Sequence, residues 1–151
     1  MFFEPYRVSL IGHRYIEDCH LQDRLEVIVR ELIDTHEYVE FMIGRNGDFD
    51  LMAASAIKTV QKNHRDDNSS LSLVIPYPVA DMKYYEDYYN DIIYPNELWR
   101  VNPKSAITKR NQWMIDNSDA LIAYVEHEGG GAARCLHMAE KREREIEIIR
   151  L

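Results

Sequence analysis

The feature that most constrains this chain is a repeated switch in hydrophobic period. Short apolar runs, each stopped by glycine or proline, alternate with longer segments whose apolar residues recur at helix spacing. Arg7–Gly12 (RVSLIG) reads as a buried first strand, followed by a helix with Leu21, Leu25, Ile28, Val29, Leu32 and Ile33 on one face. Val39–Ile43 is a second strand ended by Gly44, and Asp48–Lys62 carries Leu51, Ala54, Ala56 and Ile57 at helix spacing. Leu71–Ile75 is a third strand, stopped by Pro76 and Pro78. After an irregular, tyrosine-rich stretch from Tyr77 to Trp99, Asn102-Pro103 reads as an N-cap with proline at the first helical position. That helix runs to about Asn117, with Ile107, Met114 and Ile115 inward. Asp119–Val125 is a fourth strand, Gly129-Gly130-Gly131 opens a helix, and Glu145–Leu151 closes the chain as a strand.

Strands alternating with helices at this pace need right-handed crossovers and a mostly parallel sheet covered on both faces. The expected fold is therefore α/β, a Rossmann-like three-layer sandwich of about five strands with the first near the centre. The 151 residues suit a single domain, 1–151, with an adequate core.

Charge and cysteine content narrow the partners expected. The net charge of −8 argues against general binding to nucleic acid or to anionic membrane, although it permits a local phosphate site of backbone N–H groups and one or two arginines. No apolar run approaches the roughly 18 residues of a membrane span, and the start MFFEPYRVSLIG reads as structured chain rather than a signal peptide. Two cysteines, Cys19 and Cys135, without metal-type spacing fit a reducing cytoplasmic setting. The six histidines form neither a helical pair nor a Cys-His cluster, so no metal and no cofactor are expected. Ser9 lies inside a strand, not in a nucleophile elbow. The tyrosine-rich stretch suggests packing or a subunit contact, which makes a homodimer an option.

In an open parallel sheet, ligands bind beyond the carboxyl ends of the strands. Three such ends carry unusual residues. Gly12-His13-Arg14 follows the first strand, where glycine allows close approach and Arg14 can pair with phosphate, or where a tight turn simply exposes two polar side chains. Gly44 to Asp50 (GRNGDFD) places Gly44 and Gly47 before a helix N-terminus, where free N–H groups attract anions and Asp48 or Asp50 caps the helix or meets ribose hydroxyls. Gly129, Gly130 and Gly131 form the third turn. None of these is a G-x-G-x-x-G fingerprint or a P-loop.

Taken together, Gly12-His13-Arg14, GRNGDFDLMAA from Gly44 to Ala54, KRNQWMIDNSDALIAY from Lys109 to Tyr124 and the Gly129–Ala132 turn resemble the SLOG superfamily of Rossmann-like proteins, in particular its YpsA-like branch. The likeness runs in order along nearly the whole chain; the Tyr77–Trp99 stretch matches poorly. It implies a nucleotide or nucleotide-derived ligand between the glycine turns, with Arg110 and the adjacent Asn111 in the site.

The superfamily includes the LOG enzymes, which cleave the N-glycosidic bond of nucleoside monophosphates with an arginine and a glutamate. Arg110 falls on that arginine, and it is the catalytic residue if this chain is an enzyme. The glutamate of the GG-x-GT-x-x-E pattern is missing: GGGAARCLH puts Cys135 or Leu136 there, and neither can act as base or stabilise an oxocarbenium-like centre. The first expectation is therefore a sensor-like, non-hydrolytic nucleotide-binding domain. The alternative is a LOG-like N-glycosidase that uses Arg110 with Asp50 or Glu128, and a third option is a partner-binding protein with a vestigial pocket. For the first, phosphate sits on the Gly129–Ala132 turn, Arg110 adds a charged contact, the sugar lies toward Gly44–Asp50, and Arg110→Ala stays folded because Arg110 is not assigned to the core.

Overall fold

The computed structural model describes residues 4–151. Six parallel strands form one sheet in the order β4-β3-β2-β1-β5-β6. They are β1 Tyr6–Gly12, β2 Val39–Ile43, β3 Ser69–Val74, β4 Asp91–Ile93, β5 Ala120–Tyr124 and β6 Glu147–Arg150. The helices are α1 Leu21–Thr35, α2 Asp48–Asn63, α3 Met82–Tyr88, α4 Pro103–Asp116 and α5 Gly130–Glu140. This is the Rossmann-like α/β sandwich expected, with β1 inside the sheet. The additional strand is β4, whose three partly exposed residues lie in the tyrosine-rich stretch and pair with Ser72–Val74 of β3.

Side-chain alternation along the strands builds the two cores. Val8, Leu10, Phe41, Ile43, Leu71 and Ile122 point toward α1 and α2, where Leu25, Val29, Ala53 and Ile57 meet them in one large cluster. Met82, Tyr85 and Tyr88 of α3 pack against the same cluster. The opposite face is thinner. Ile11, Leu121 and Ala123 meet Ile115, Cys135 and Ala139, while Met42 and Val74 meet Met114 in a separate patch.

Local sequence sets the element boundaries. Asn102 caps α4 by accepting from the Lys104 amide at 3.0 Å, with Pro103 at the first helical position. Leu51, expected on the inner face of α2, is exposed, and Phe49 is buried in its place. The tyrosines mainly pack: Tyr89 is buried, and its ring makes edge contacts with Tyr85 and Tyr88. No helix among the described residues is long and apolar enough to cross a membrane.

The sheet order fixes where a ligand crevice can form. From β1 the chain moves to β2 and β3 on one side, and later returns to β5 on the other. Connections leaving β1 and β5 therefore diverge to opposite faces, and the space between their carboxyl ends is the topological switch point.

Candidate functional site

A cleft of about 420 Å³ opens at that switch point, within the size range of small-ligand sites. Gly12, His13 and Arg14 line it from the β1 end, Asn46, Gly47 and Asp50 from the β2 end, and Arg110 and Asn111 from α4. Gly129, Gly130 and Gly131 complete it at the start of α5. Ten of the eleven residues singled out from the sequence thus meet in one cavity; Gly44 does not line it.

The glycines divide into two kinds. A Cβ on Gly12 would stand 2.2 Å from the Phe49 ring, one on Gly44 would stand 2.7 Å from the Arg110 guanidinium, and one on Gly47 would stand 2.6 Å from Arg14 Cα. These three are small because protein packs against them. A Cβ on Gly129, Gly130 or Gly131 would meet nothing within 4 Å. Gly129 and Gly130 also hold φ of 89° and 85°, a conformation that favours glycine.

The helix N-termini divide in the same way. At α2, the Asp48 amide donates to Arg14 O at 2.8 Å and the Phe49 amide to His13 O at 3.4 Å. The loop after β1 therefore occupies two of the donors, the Asp48 and Phe49 amides, that the sequence reading offered to an anion. Asp50 lines the cleft while one oxygen of its carboxylate accepts from the Asn46 amide at 2.9 Å, as an acid in a first helical turn reaching back. At α5, among the described residues, no protein group accepts from the amides of Gly130, Gly131 or Ala132, and no side chain caps the helix. Those donors and the positive end of the α5 dipole face the cleft.

Arg110 forms the floor, and here the structure corrects the expectation that it stands apart from the core. It is 3% exposed. Its Nε donates to Asn111 Oδ1 at 2.9 Å, and its two terminal nitrogens donate to Val74 O at 3.0 Å and Asn46 Oδ1 at 2.6 Å. Burial lowers the Arg110 pKa, with Asp50 opposing that shift. Burial likewise raises the Asp50 carboxyl above its ordinary value, against the pull of the Asn46 amide and Arg110. Asn46, which sequence reasoning passed over, is the joint of this network. Its residue type and its place in a glycine-containing turn look like ordinary turn chemistry, and only the chain crossing shows its second role.

His13 is buried rather than exposed. Its Nε2 accepts from the Glu126 amide at 2.7 Å, and its ring stacks on His127 with centroids 3.9 Å apart. Burial first, then His127, lowers its pKa, so it serves as a neutral strut between the loops after β1 and β5. Arg14 is the exposed cation at the rim, with Nε bonded to Asn46 O at 3.2 Å. Tyr15 and His127 also line the cleft and were not anticipated, and Ile107, expected to face inward, is exposed there instead.

Much of the Lys109–Tyr124 stretch works inside the fold. The Ser118 hydroxyl donates to Met114 O at 2.6 Å and pairs with Ser9 Oγ at 2.6 Å, and Asp119 accepts from the Arg7 amide at 2.9 Å. These contacts fasten the end of α4 to β1. Cys135, one of the two residues that the resemblance puts at the place of the LOG glutamate, is buried, and burial pushes its thiol up to about 12. Among the described residues no group of three or more His, Cys, Asp or Glu is placed to hold a metal ion.

No family model matches the chain, and no curated protein matches it. Among solved structures it is similar to DNA processing protein A from Helicobacter pylori, reported for its single-stranded DNA binding mode, with a TM-score of 0.63 and 16% identity. The match covers 95% of this chain and 65% of that one, so this chain spans just under two thirds of its length. The likeness shows the fold. It also overturns the exclusion of nucleic acid drawn from the acidic balance: a protein with this fold binds single-stranded DNA, and a net charge of −8 averages the whole surface without describing one cleft.

Proposed function

We propose that this domain binds the sugar-phosphate of a nucleotide unit, free or within a single nucleic-acid strand, and does so without cleaving it. The observation that carries this reading is the open start of α5. Three consecutive amides with no protein acceptor, on a glycine turn with free space above it, face a cleft at the switch point of a parallel sheet. The phosphate lies on Gly130–Ala132 and the sugar runs toward Asn46 and Asp50. Arg110 acts from beneath, by holding Asn46 and adding positive potential, with Arg14 as the cation that can reach the ligand.

The first turn of α5 has no acidic side chain, and one oxygen of the Asp50 carboxylate accepts from the Asn46 amide. Both favour binding over N-glycosidic cleavage, which needs a carboxylate at the anomeric centre. The SLOG resemblance supports the same ligand class, and the single-stranded DNA bound by a protein of the same fold supports the strand form.

Calorimetry with ribose 5-phosphate, nucleoside 5′-monophosphates and a short single strand tests the proposal. Binding of the sugar phosphate that weakens as salt rises is the expected result. No binding by any of the three would refute it, and release of free base from a monophosphate would refute the non-cleaving part.

A further inference from the structure

A second recess, of about 90 Å³, lies on the other side of Arg110. It forms where β3 runs out through Ile75-Pro76-Tyr77 and faces α3. Its walls are apolar, from Leu73, Ile75, Pro76 and Val79, and two rings, Tyr77 and Tyr85, stand in it. Arg45 sits at the rim, with its guanidinium carbon 4.9 Å from the centre of the Tyr85 ring and a terminal nitrogen donating to the Tyr85 hydroxyl at 3.3 Å. Among the described residues no carboxylate lines it.

Asn46 and Arg110 line both this recess and the larger cleft. Their mutual hydrogen bond is the partition between the two spaces. A ligand with its sugar against Asn46 therefore has its anionic end over α5 and its other end at the tyrosines. The two spaces differ in the way that the two ends of a nucleotide differ. One offers unsatisfied N–H donors, and the other offers apolar walls, aromatic faces and a cation that can stack on a π system.

We propose that the Tyr77–Tyr85 recess is the base subsite of the same ligand, taking one nucleobase by stacking on Tyr77 beside Arg45. This rests on the reading of the larger cleft as the phosphate site. At about 90 Å³ the recess has room for no more than one base, so the neighbouring bases of a single strand would stay outside it.

The test compares the wild-type chain with Tyr77→Ala, and with Arg45→Ala as a second exposed position, in calorimetric titrations with ribose 5-phosphate and the four common nucleoside 5′-monophosphates. Tyr77 is 39% exposed, so its replacement leaves the fold intact. At least one monophosphate should bind the wild type about tenfold or more tighter than ribose 5-phosphate, the effect expected of one stacked base. Tyr77→Ala should erase that margin and leave the affinity for ribose 5-phosphate unchanged, and Arg45→Ala should reduce the margin. A margin that persists in Tyr77→Ala, no margin in the wild type, or equal weakening of both ligand kinds would overturn the base subsite while the phosphate site stands. Failure of every ligand to bind the wild type would overturn the phosphate site, and the base subsite with it.

Discussion

Replacing Gly131 by alanine separates what the free protein needs from what a ligand needs. Gly131 lies in the first turn of α5 without a positive φ, and its Cβ would meet no atom within 4 Å. The methyl group therefore creates no clash, and alanine loses less chain entropy than glycine in a helix. The stabilisation is about 0.5–1 kcal/mol at a helix interior and smaller in a first turn. For a chain of this size that raises the melting temperature by about 1–3 °C. The same methyl enters the space above the free amides, where a phosphate oxygen must come within about 3 Å of nitrogen. Gly131→Ala should thus melt slightly higher than the wild type and bind ribose 5-phosphate at least tenfold more weakly. Gly12→Ala supplies the contrast. Its Cβ would stand 2.2 Å from the Phe49 ring, so overpacking should cost about 1–3 kcal/mol and lower the melting temperature. Thermal melts and calorimetry on the two variants read both effects. A lower melting point for Gly131→Ala, or an unchanged affinity, would refute the distinction between packed and open glycines.

Arg110→Ala should destabilise the fold by about 3 kcal/mol or more in urea titration, because it strands buried acceptors on Val74, Asn46 and Asn111 and leaves Asp50 without its neighbouring cation. A variant as stable as the wild type would show that the guanidinium is dispensable. Gly44→Ala should push the Arg110 guanidinium aside and lower the melting temperature; equal melting points for Gly44→Ala and wild type would count against it. His13 has a lowered pKa in the folded chain, so between its ordinary value of 6.5 and the lower folded value the unfolded chain binds more protons. Its contribution is therefore complete above about pH 6.5 and declines as pH falls. His13→Gln, which keeps an acceptor for the Glu126 amide, should flatten that decline in urea titrations across pH 5 to 7.

The sheet and the location of the cleft were legible in the sequence because they rest on local signals. Short apolar runs and period-3.6 patterns mark the elements, and the parallel order follows from their alternation. β4 was not legible: three partly exposed residues among tyrosines carry no pattern, and their pairing with β3 is a tertiary result. The glycines show the same division within the site. Gly12, Gly44 and Gly47 look like Gly129–Gly131 in sequence, since each follows a strand. What separates them is Phe49, Arg110 and Arg14 arriving from elsewhere in the chain. Arg110 entered the candidate site by resemblance, but its burial comes from Val74 and Asn46 closing around it, which no local pattern encodes.

The inequality of the two faces of the sheet has a consequence for how the molecule opens. α1 and α2 share one continuous apolar cluster with most of the strands, whereas α4 and α5 rest on two smaller patches. Amide exchange from α1, α2 and the strands beneath them then requires global unfolding, while α5 can detach as a smaller cooperative unit at lower free energy. The free amides belong to that detachable unit. A ligand bound across α5 and the loop after β1 would close the weaker layer onto the stronger one, and slowed exchange in α5 would report occupancy even for a ligand that leaves the backbone where it was.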